Sequence, residues 1–429
     1  MKKGLLGPLL AVSFPSVAFA EEAPMFNSGD TAWMLTSAML VILMSIPGLA
    51  LFYGGLIRTK NMASVLIQVF SIFALISVLW ALYGYSLAFG GDGKIWANLD
   101  FAFLANIQPD TPSRALPNIP EFVWVAFQNA FAALTVALTV GAFAERIKFS
   151  AVLIFAAIWF TFCYIPVAHM IWGGGMLAGD GALDFAGGTV IHLNAGVAGL
   201  VGAYMLGKRR GLGKESFAPH NMVQTTIGAS LLWVGWFGFN AGSAGAANGI
   251  AGLAFVNTIL ATATAVLGWL ATERLLRGKA SLLGAVSGAI AGLVGITPAA
   301  GFVGPMGAFF IGAVCGPLGV WGVSQLKRVL RVDDACDVFG IHGVAGLAGA
   351  VLTGIFVAPA LGGVGVQGYD MLHQVWVQLE SALLTMVLSA VVAYIAFTVA
   401  RLTVGLRVSA QEEQEGLDLT AHGESAYHL

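Results

Sequence analysis

Charged side chains and cysteines are both scarce in this sequence of 429 residues. Asp, Glu, Lys and Arg make up 10% of the chain, against about 25% in a typical soluble domain. The net charge of −2 gives no electrostatic basis for binding nucleic acid. Three cysteines, all in apolar surroundings, exclude a disulfide framework or a cysteine-based metal cluster. Hydrophobic residues reach 58% and glycine contributes 56 positions, which excludes a soluble enzyme and a disordered chain. The composition predicts an all-α membrane protein with many spans.

The N-terminus, residues 1–20, has the pattern of a secretory signal peptide. Lys2 and Lys3 precede a mostly apolar stretch, and Ala18-Phe-Ala20 before Glu21 fits a cleavage site. The alternative is an additional first helix, but the stretch is short and contains two prolines. Cleavage would leave the mature N-terminus on the outer side of the membrane, in a bacterial periplasm or its equivalent.

Eleven apolar runs are long enough to be transmembrane helices. They cover residues 31–57, 62–89, 119–143, 149–169, 188–206, 221–242, 250–271, 281–298, 303–324, 338–357 and 375–403. Of the 18 Lys and Arg after residue 20, 16 fall on one alternate set of connections and the tail, and only Lys94 and Arg114 fall on the other. The positive-inside rule then places the N-terminus outside and the C-terminus inside. We expect a transmembrane domain over 21–407 and a cytoplasmic tail over 408–429.

An internal repeat links the fifth run to the tenth. Asp184 is followed eight residues later by His192, and Asp334 is followed at the same spacing by His342; both histidines follow an isoleucine and precede a Gly/Ala-rich stretch. A unit of five segments is odd, so its two copies insert in opposite orientations. This pattern predicts two inverted five-helix repeats plus an eleventh helix, with a site near the membrane midplane between the repeats.

The depth of each histidine in the membrane can be calculated from the start of its helix, and the two depths are similar. Each aspartate lies where its helix begins and can cap free N–H groups, and each histidine lies about 12 Å deeper. Because the two helices start from opposite faces of a core about 30 Å thick, His192 and His342 are predicted to pair near its centre. The alternatives are that each histidine merely bonds a neighbouring helix, or that the pair binds metal, although no Cys or carboxylate joins them at ligand spacing. For His169, at the end of the fourth run, an interfacial structural role is favoured.

Aromatic side chains concentrate in the outer third of the predicted membrane domain. They are Phe127, Phe131, Trp172, Trp236 and Phe239, with the Ser243 hydroxyl at the same level. Ring faces attract cations, although the same residues could form an ordinary interfacial belt. Apart from the histidine pair, only Glu380 is a candidate charge within the membrane. Such a path suits a small polar solute rather than a hydrated ion.

With these motifs assembled, the chain resembles the ammonium transporter (Amt/Rh/methylammonium permease) family, most closely its bacterial Amt members. The resemblance covers nearly all of the mature chain. It is carried by residues 47–56 (PGLALFYGGL), 168–175 (AHMIWGGG), 184–188 (DFAGG), 235–243 (GWFGFNAGS) and 337–343 (DVFGIHG), and by 416–418 (GLD) and 422–427 (HGESAY) of the tail. The loop over 90–118 matches nothing specific.

The resemblance implies a homotrimer in a bacterial inner membrane, with one conduction path in each subunit and no cofactor or metal. It implies a substrate-binding site at Phe127, Trp172 and Ser243, a gate at Phe131 and Phe239, a proton-relaying pair at His192 and His342, and a supporting acid at Asp184. Ammonium would be the substrate, with methylammonium as its analogue, and a PII-type signalling protein would bind the cytoplasmic face. A passive NH3/CO2 gas channel and an ammonium sensor remain alternatives, whereas an enzyme is not expected.

Overall fold

The computed structural model describes residues 26–427 and consists of helices joined by loops, with no strand in that range. The predicted signal peptide, residues 1–20, lies outside the described residues. The main helices are α1 (Ser28–Leu56), α2 (Thr59–Phe89), α3 (Glu121–Phe143), α4 (Phe149–Gly179), α5 (Gly188–Leu206), α6 (Met222–Gly242), α7 (Gly249–Arg277), α8 (Leu282–Ile296), α9 (Pro305–Leu330), α10 (Phe339–Phe356) and α11 (Met371–Thr403).

The helices coincide with the eleven predicted apolar runs. Within the described range, nine of them are long and apolar enough to cross a membrane; α6 and α8 are not among those nine. The protein is therefore an all-helical, multi-pass membrane protein, while the count of eleven spans and their orientation stay predictions. We call the two sides outer and cytoplasmic as the charge distribution predicts.

Helices α5 and α10, which carry the two histidines, cross at the centre of the bundle. Their contact depends on glycine: a Cβ on Gly196 would lie 2.6 Å from the backbone nitrogen of Gly343. A Cβ on Gly346 would likewise lie 3.0 Å from the Gly188 carbonyl oxygen. Small residues at such positions let two backbones approach closely. Around this centre, α1 packs on α6, α7 on α8 and α9, and α11 on α4, α5 and α10.

Six of the helices contain a widened, π-helical turn. Two of these turns hold the histidines, at Gly188–Leu193 in α5 and Phe339–Gly343 in α10. Two more lie in the preceding helices, at Phe160–Tyr164 in α4 and Gly322–Leu326 in α9. Such turns are uncommon and tend to occur at functional sites, because they shift the direction in which the following side chains point.

Buried ion pairs fasten the cytoplasmic connections. The Arg209 guanidinium lies 2.7 Å from Glu145 and 2.8 Å from Asp333, and Arg58 lies 3.0 Å from the same Glu145 carboxylate. Arg146 is fully buried and donates to main-chain carbonyls, including that of Asp333 at 2.5 Å. These charges join the segments after α1, α3, α5 and α9 into one layer.

The tail packs against this layer through two short helices, α12 (Ala410–Glu415) and α13 (Leu417–His422). Buried Glu413 accepts from Arg407 at 2.8 Å. The Asp418 carboxylate accepts from the backbone N–H groups of Ala63 and Ser64, at 3.0 and 2.8 Å, and so caps the start of α2. The tail is thus tied to the membrane domain by specific polar contacts.

Candidate functional site

Stacked phenyl rings close the outer half of the molecule. The rings of Phe131 on α3 and Phe239 on α6 are parallel within 6°, with centroids 4.3 Å apart, and both side chains are fully buried. Phe127 lies one helical turn from Phe131, at 4.5 Å, and the Trp172 ring meets Phe131 edge-on at 6.0 Å. The four rings predicted for the binding site and the gate thus form one cluster.

Polar groups flank this cluster on its outer side. Ser243, at the end of α6, donates its hydroxyl to the carbonyl of Phe239 at 2.8 Å, which leaves its oxygen lone pairs available. Trp172 donates its indole N–H to the main-chain carbonyl of Asp184 at 2.7 Å. Both residues are partly exposed, whereas Phe127 is fully buried. A small cation here would meet ring faces and a hydroxyl oxygen.

The two histidines lie against each other below the phenyl rings. His192 Nδ1 and His342 Nδ1 are 3.3 Å apart, and the ring centroids are 5.3 Å apart. Because both contacting atoms are the same ring nitrogen, one must donate and the other accept. Both side chains are buried, and within residues 26–427 the other ring nitrogen of His192 has no hydrogen-bond partner. The His192 ring lies 5.8 Å from Phe239, which places the pair directly beneath the stacked rings.

Two buried carboxylates begin the histidine-bearing helices. The oxygens of Asp184 accept from the backbone N–H groups of Gly187, Gly188, Thr189 and Val190, at 3.0, 2.6, 2.9 and 2.9 Å. Asp334 accepts from Val338 and Phe339 at 3.0 and 2.8 Å. Each carboxylate satisfies orphan donors of a helix N-terminus. Asp184 thereby fixes the start of α5 and, through its carbonyl, the Trp172 indole.

A chain of hydrogen bonds behind the pair was missed by the sequence reasoning. Trp236 stacks on His192, with centroids 5.1 Å apart, and donates its indole N–H to Thr297 at 2.9 Å. Thr297 in turn contacts Asn240 at 3.3 Å, and Asn240 donates to Thr258 at 3.0 Å. Amide and hydroxyl side chains inside apolar runs are the sequence feature that could have indicated this network.

A vestibule of about 350 Å³ opens from the cytoplasmic side toward the pair. It is lined by Ile341, which directly precedes His342, and by Phe217, Arg209, Asp333 and Asp337. The sequence reasoning did not identify this space, because its walls come from parts of the chain that are far apart in sequence: five helices (α1, α7, α8, α9 and α10) and the two connections that precede α6 and α10. His169, for which an interfacial role was favoured, lies outside the site: its ring nitrogens contact the carbonyls of Ala88 and Gly93 at 2.8 and 2.9 Å.

Metal ligands are not clustered in the part of the chain that the structure describes. Among residues 26–427, no group of three or more His, Cys, Asp or Glu side chains is placed to hold a metal ion. Cys163, Cys315 and Cys336 are buried and separate. The two adjacent imidazoles are close enough to share a hydrogen through their Nδ1 atoms.

The chain is similar to known proteins over nearly its whole length. The model of the Ammonium Transporter Family matches residues 32–427. The chain is 47% identical to an ammonium transporter of Aquifex aeolicus, over 99% of both chains, and 46% identical to one of Bacillus subtilis, over 93% of this chain and 98% of that one. Among solved structures, Saccharomyces cerevisiae Mep2 has a TM-score of 0.82 at 35% identity (90% and 89% covered), and a protein titled Sensor Amt Protein has 0.85 at 26% identity (92% and 98% covered).

Proposed function

The chain belongs to the Ammonium Transporter Family, and on this basis we propose that it conducts ammonium by separating NH4+ into NH3 and a proton. The ion binds on the outer side, loses its proton near the phenyl gate, and crosses as NH3. The proton passes between His192 and His342. The observation that carries this mechanism is the 3.3 Å contact between the two Nδ1 atoms directly beneath a closed pair of rings.

Recruitment uses the ring cluster at the outer mouth. The faces of Phe127 and Trp172 attract a cation by about 0.5–2 kcal/mol, more as water is removed. The Ser243 oxygen, with its own hydrogen donated to Phe239, accepts one N–H of the ion. Asp184 supports this site by capping α5 and holding the Trp172 indole, and its charge lies at the same end of the helix.

The phenyl gate favours a neutral solute. Phe131 and Phe239 are in van der Waals contact, so passage requires the rings to separate, and the opened space offers no oxygen ligands to replace lost hydration. A full charge entering such a space costs far more than NH3 does. K+ is similar to ammonium in size but carries no proton to release, and this difference accounts for its exclusion.

The histidine pair provides a path for the released proton. With one hydrogen shared between the Nδ1 atoms, His192 can accept a proton at its free Nε2 while His342 delivers one toward the cytoplasmic vestibule. With His192 as the donor at the start, the transfer leaves the hydrogen of His192 on Nε2 and that of His342 on Nδ1, both rings neutral, and rotation of both rings restores the first arrangement. Transport is then electrogenic, because one charge crosses with each NH3.

A sensor is the second candidate, favoured by the similarity to the protein titled Sensor Amt Protein. In that function the docked tail would report occupancy through the contacts of Glu413 and Asp418. A passive NH3/CO2 gas channel is a third function compatible with the apolar path. Only the electrogenic transporter predicts a current that depends on the histidines.

The test is solid-supported-membrane electrophysiology on purified protein in liposomes. We expect ammonium pulses to give a current in the wild type, and a His192→Ala/His342→Ala variant to lose it or to conduct K+ as well. His373→Ala, which alters an exposed histidine at the start of α11, is the matched control and should behave as the wild type. Equal wild-type currents with K+ and ammonium, or a pH change with no current, would refute the proposed mechanism.

The remaining properties that the family suggests are part of the same proposal. The protein would assemble as a homotrimer in a bacterial inner membrane, after residues 1–20 are removed as a signal peptide. A PII-type protein would bind the basic cytoplasmic connections over 208–214 and 327–331. Mass measurement of the purified protein in detergent, with N-terminal sequencing, tests the trimer and the cleavage together.

A further inference from the structure

An apolar groove with one carboxylate runs along the outward face of α11. Its volume is about 690 Å³, and its lining includes Ile95, Met170, Trp376, Glu380, Leu383 and Val387. Glu380 is exposed, and within residues 26–427 it has no ion-pair or hydrogen-bond partner. We propose that this groove binds a primary-amine phospholipid, such as phosphatidylethanolamine, with an acyl chain in the groove and the ammonium of the headgroup on Glu380.

The position of Glu380 along α11 matches the depth of lipid headgroups. From Glu380 to Arg401 the helix rises through 21 residues, which is about 32 Å, close to the thickness of a bilayer core of about 30 Å. The only two charged side chains of α11 therefore bracket one hydrocarbon thickness. Trp376, one turn toward the outer end, is 61% exposed, as expected for a ring in the interfacial belt.

Charge complementarity selects the headgroup. A carboxylate at the edge of an apolar groove is costly unless a cation or hydrogen-bond donors meet it. A primary ammonium supplies both, whereas a trimethylated amine cannot donate and a glycerol headgroup has no positive charge. Lys94 precedes the groove residue Ile95, and its carbonyl accepts from Met176 at 2.9 Å, which fixes the backbone of Lys94 beside the groove. The exposed Lys94 ammonium is available for the lipid phosphate.

The acyl chain contributes little to this selectivity. Bulk lipid is as apolar as the groove, so moving a chain into it brings no hydrophobic gain. The preference of the groove among lipids should therefore depend on the headgroup and not on the length of the acyl chain. A second copy of this protein covering the groove is the competing occupant, and it would have to present a cation to Glu380.

The test is native mass spectrometry of the full-length protein in detergent, with phosphatidylethanolamine, phosphatidylcholine and phosphatidylglycerol of identical acyl chains. We expect the wild type to bind the ethanolamine lipid about tenfold more tightly than the choline lipid, and Glu380→Gln to lose most of that preference. Asp110→Asn, which removes an exposed carboxylate from the outer loop, is the matched control and should keep it. Val387→Trp, which fills the groove, should weaken the binding of all three lipids by steric exclusion and leave the preference among them unchanged, because Glu380 is intact.

Two results would overturn the proposal. One is equal binding of the ethanolamine and choline lipids by the wild type, or an unchanged preference in Glu380→Gln. The other is efficient disulfide-linked dimerisation of a Glu380→Cys variant in native membranes, which would put a second copy over the groove. Neither result depends on ammonium transport, so this proposal and the proposed function fail separately.

Discussion

The two capping carboxylates should differ in their effect on stability when each is changed to asparagine. Asparagine preserves the size of the side chain but replaces one acceptor oxygen with an NH2 group, which can only donate. At Asp184 each oxygen serves two backbone N–H groups, so either orientation of the amide leaves two donors without an acceptor. At Asp334 each oxygen serves one N–H group, so only one donor is lost.

The size of the difference follows from the cost of an unsatisfied buried donor. Both carboxylates are at most 6% exposed, and each buried donor left unpaired costs about 1–3 kcal/mol. Asp184→Asn should therefore lower the free energy of unfolding by about 2–6 kcal/mol, and Asp334→Asn by about 1–3 kcal/mol. Lys327 bonds the main-chain carbonyl of Asp334 and the Asp337 carboxylate, and both of these acceptors remain in the second variant.

The measurement is the free energy of unfolding in mixed micelles titrated with a denaturing detergent, followed by circular dichroism. Asp110→Asn, on the exposed outer loop, should stay within about 0.5 kcal/mol of the wild type. A loss at Asp184 no larger than the loss at Asp334 would contradict the capping argument. In that case any transport defect of Asp184→Asn would have to be ascribed to the missing charge alone.

Three further results are expected. Trp236→Phe removes the donor to Thr297 and should lower the free energy of unfolding by about 1 kcal/mol, measured by thermal unfolding. It should also weaken the ammonium current with little change in ammonium binding at the outer mouth. An unchanged current would show that the indole does not orient His192. Burial alone raises the pKa of Asp333, but hydrogen bonds and charge from Arg209 hold it at about 2. The lowered pKa of Asp333 contributes about 2 kcal/mol to the free energy of unfolding. This contribution is present above pH 4 and is lost toward pH 2. Thermal unfolding of Arg209→Gln should lack this pH dependence. Phe131→Ala opens the gate and should admit K+ current in liposomes; retained selectivity would assign the barrier to the histidine level.

The helices were predictable because a bilayer requires nearly continuous apolar runs. The predicted run over 338–357 differs from α10, Phe339–Phe356, by one residue at each end. The largest difference is at α4, predicted to end at 169 but extending to Gly179. Beyond His169 three consecutive glycines, residues 173–175, interrupt the apolar run, so the sequence stops indicating a helix. The α-helical residues nevertheless extend to Trp172 and resume in one short turn at Met176–Gly179.

The candidate site was predictable only in part. The repeated Asp-to-His spacing brought His192 and His342 to one depth, and the spacing of Phe127 and Phe131 placed them one turn apart. That the two histidines meet through Nδ1 could not be predicted, because the direction of their rings depends on the widened turns at Gly188–Leu193 and Phe339–Gly343. A π-helical turn leaves no hydrophobic period in the sequence, and these runs are apolar on all sides.

The contacts around the histidine pair are related as a two-fold axis requires. The same atom, Nδ1, meets its counterpart. Gly196, four residues after the first histidine, packs on Gly343, one residue after the second, while Gly346 packs on Leu193 in the reciprocal way. A symmetric pair alone has no direction. The direction of the proposed proton transfer must come from what differs on the two sides of the pair. The stacked phenyl rings and Trp236 lie against His192, whereas the charged vestibule lies beside His342. In the proposed mechanism, the pair would exchange a proton between equivalent atoms, and its surroundings would determine where the proton is taken up and where it leaves.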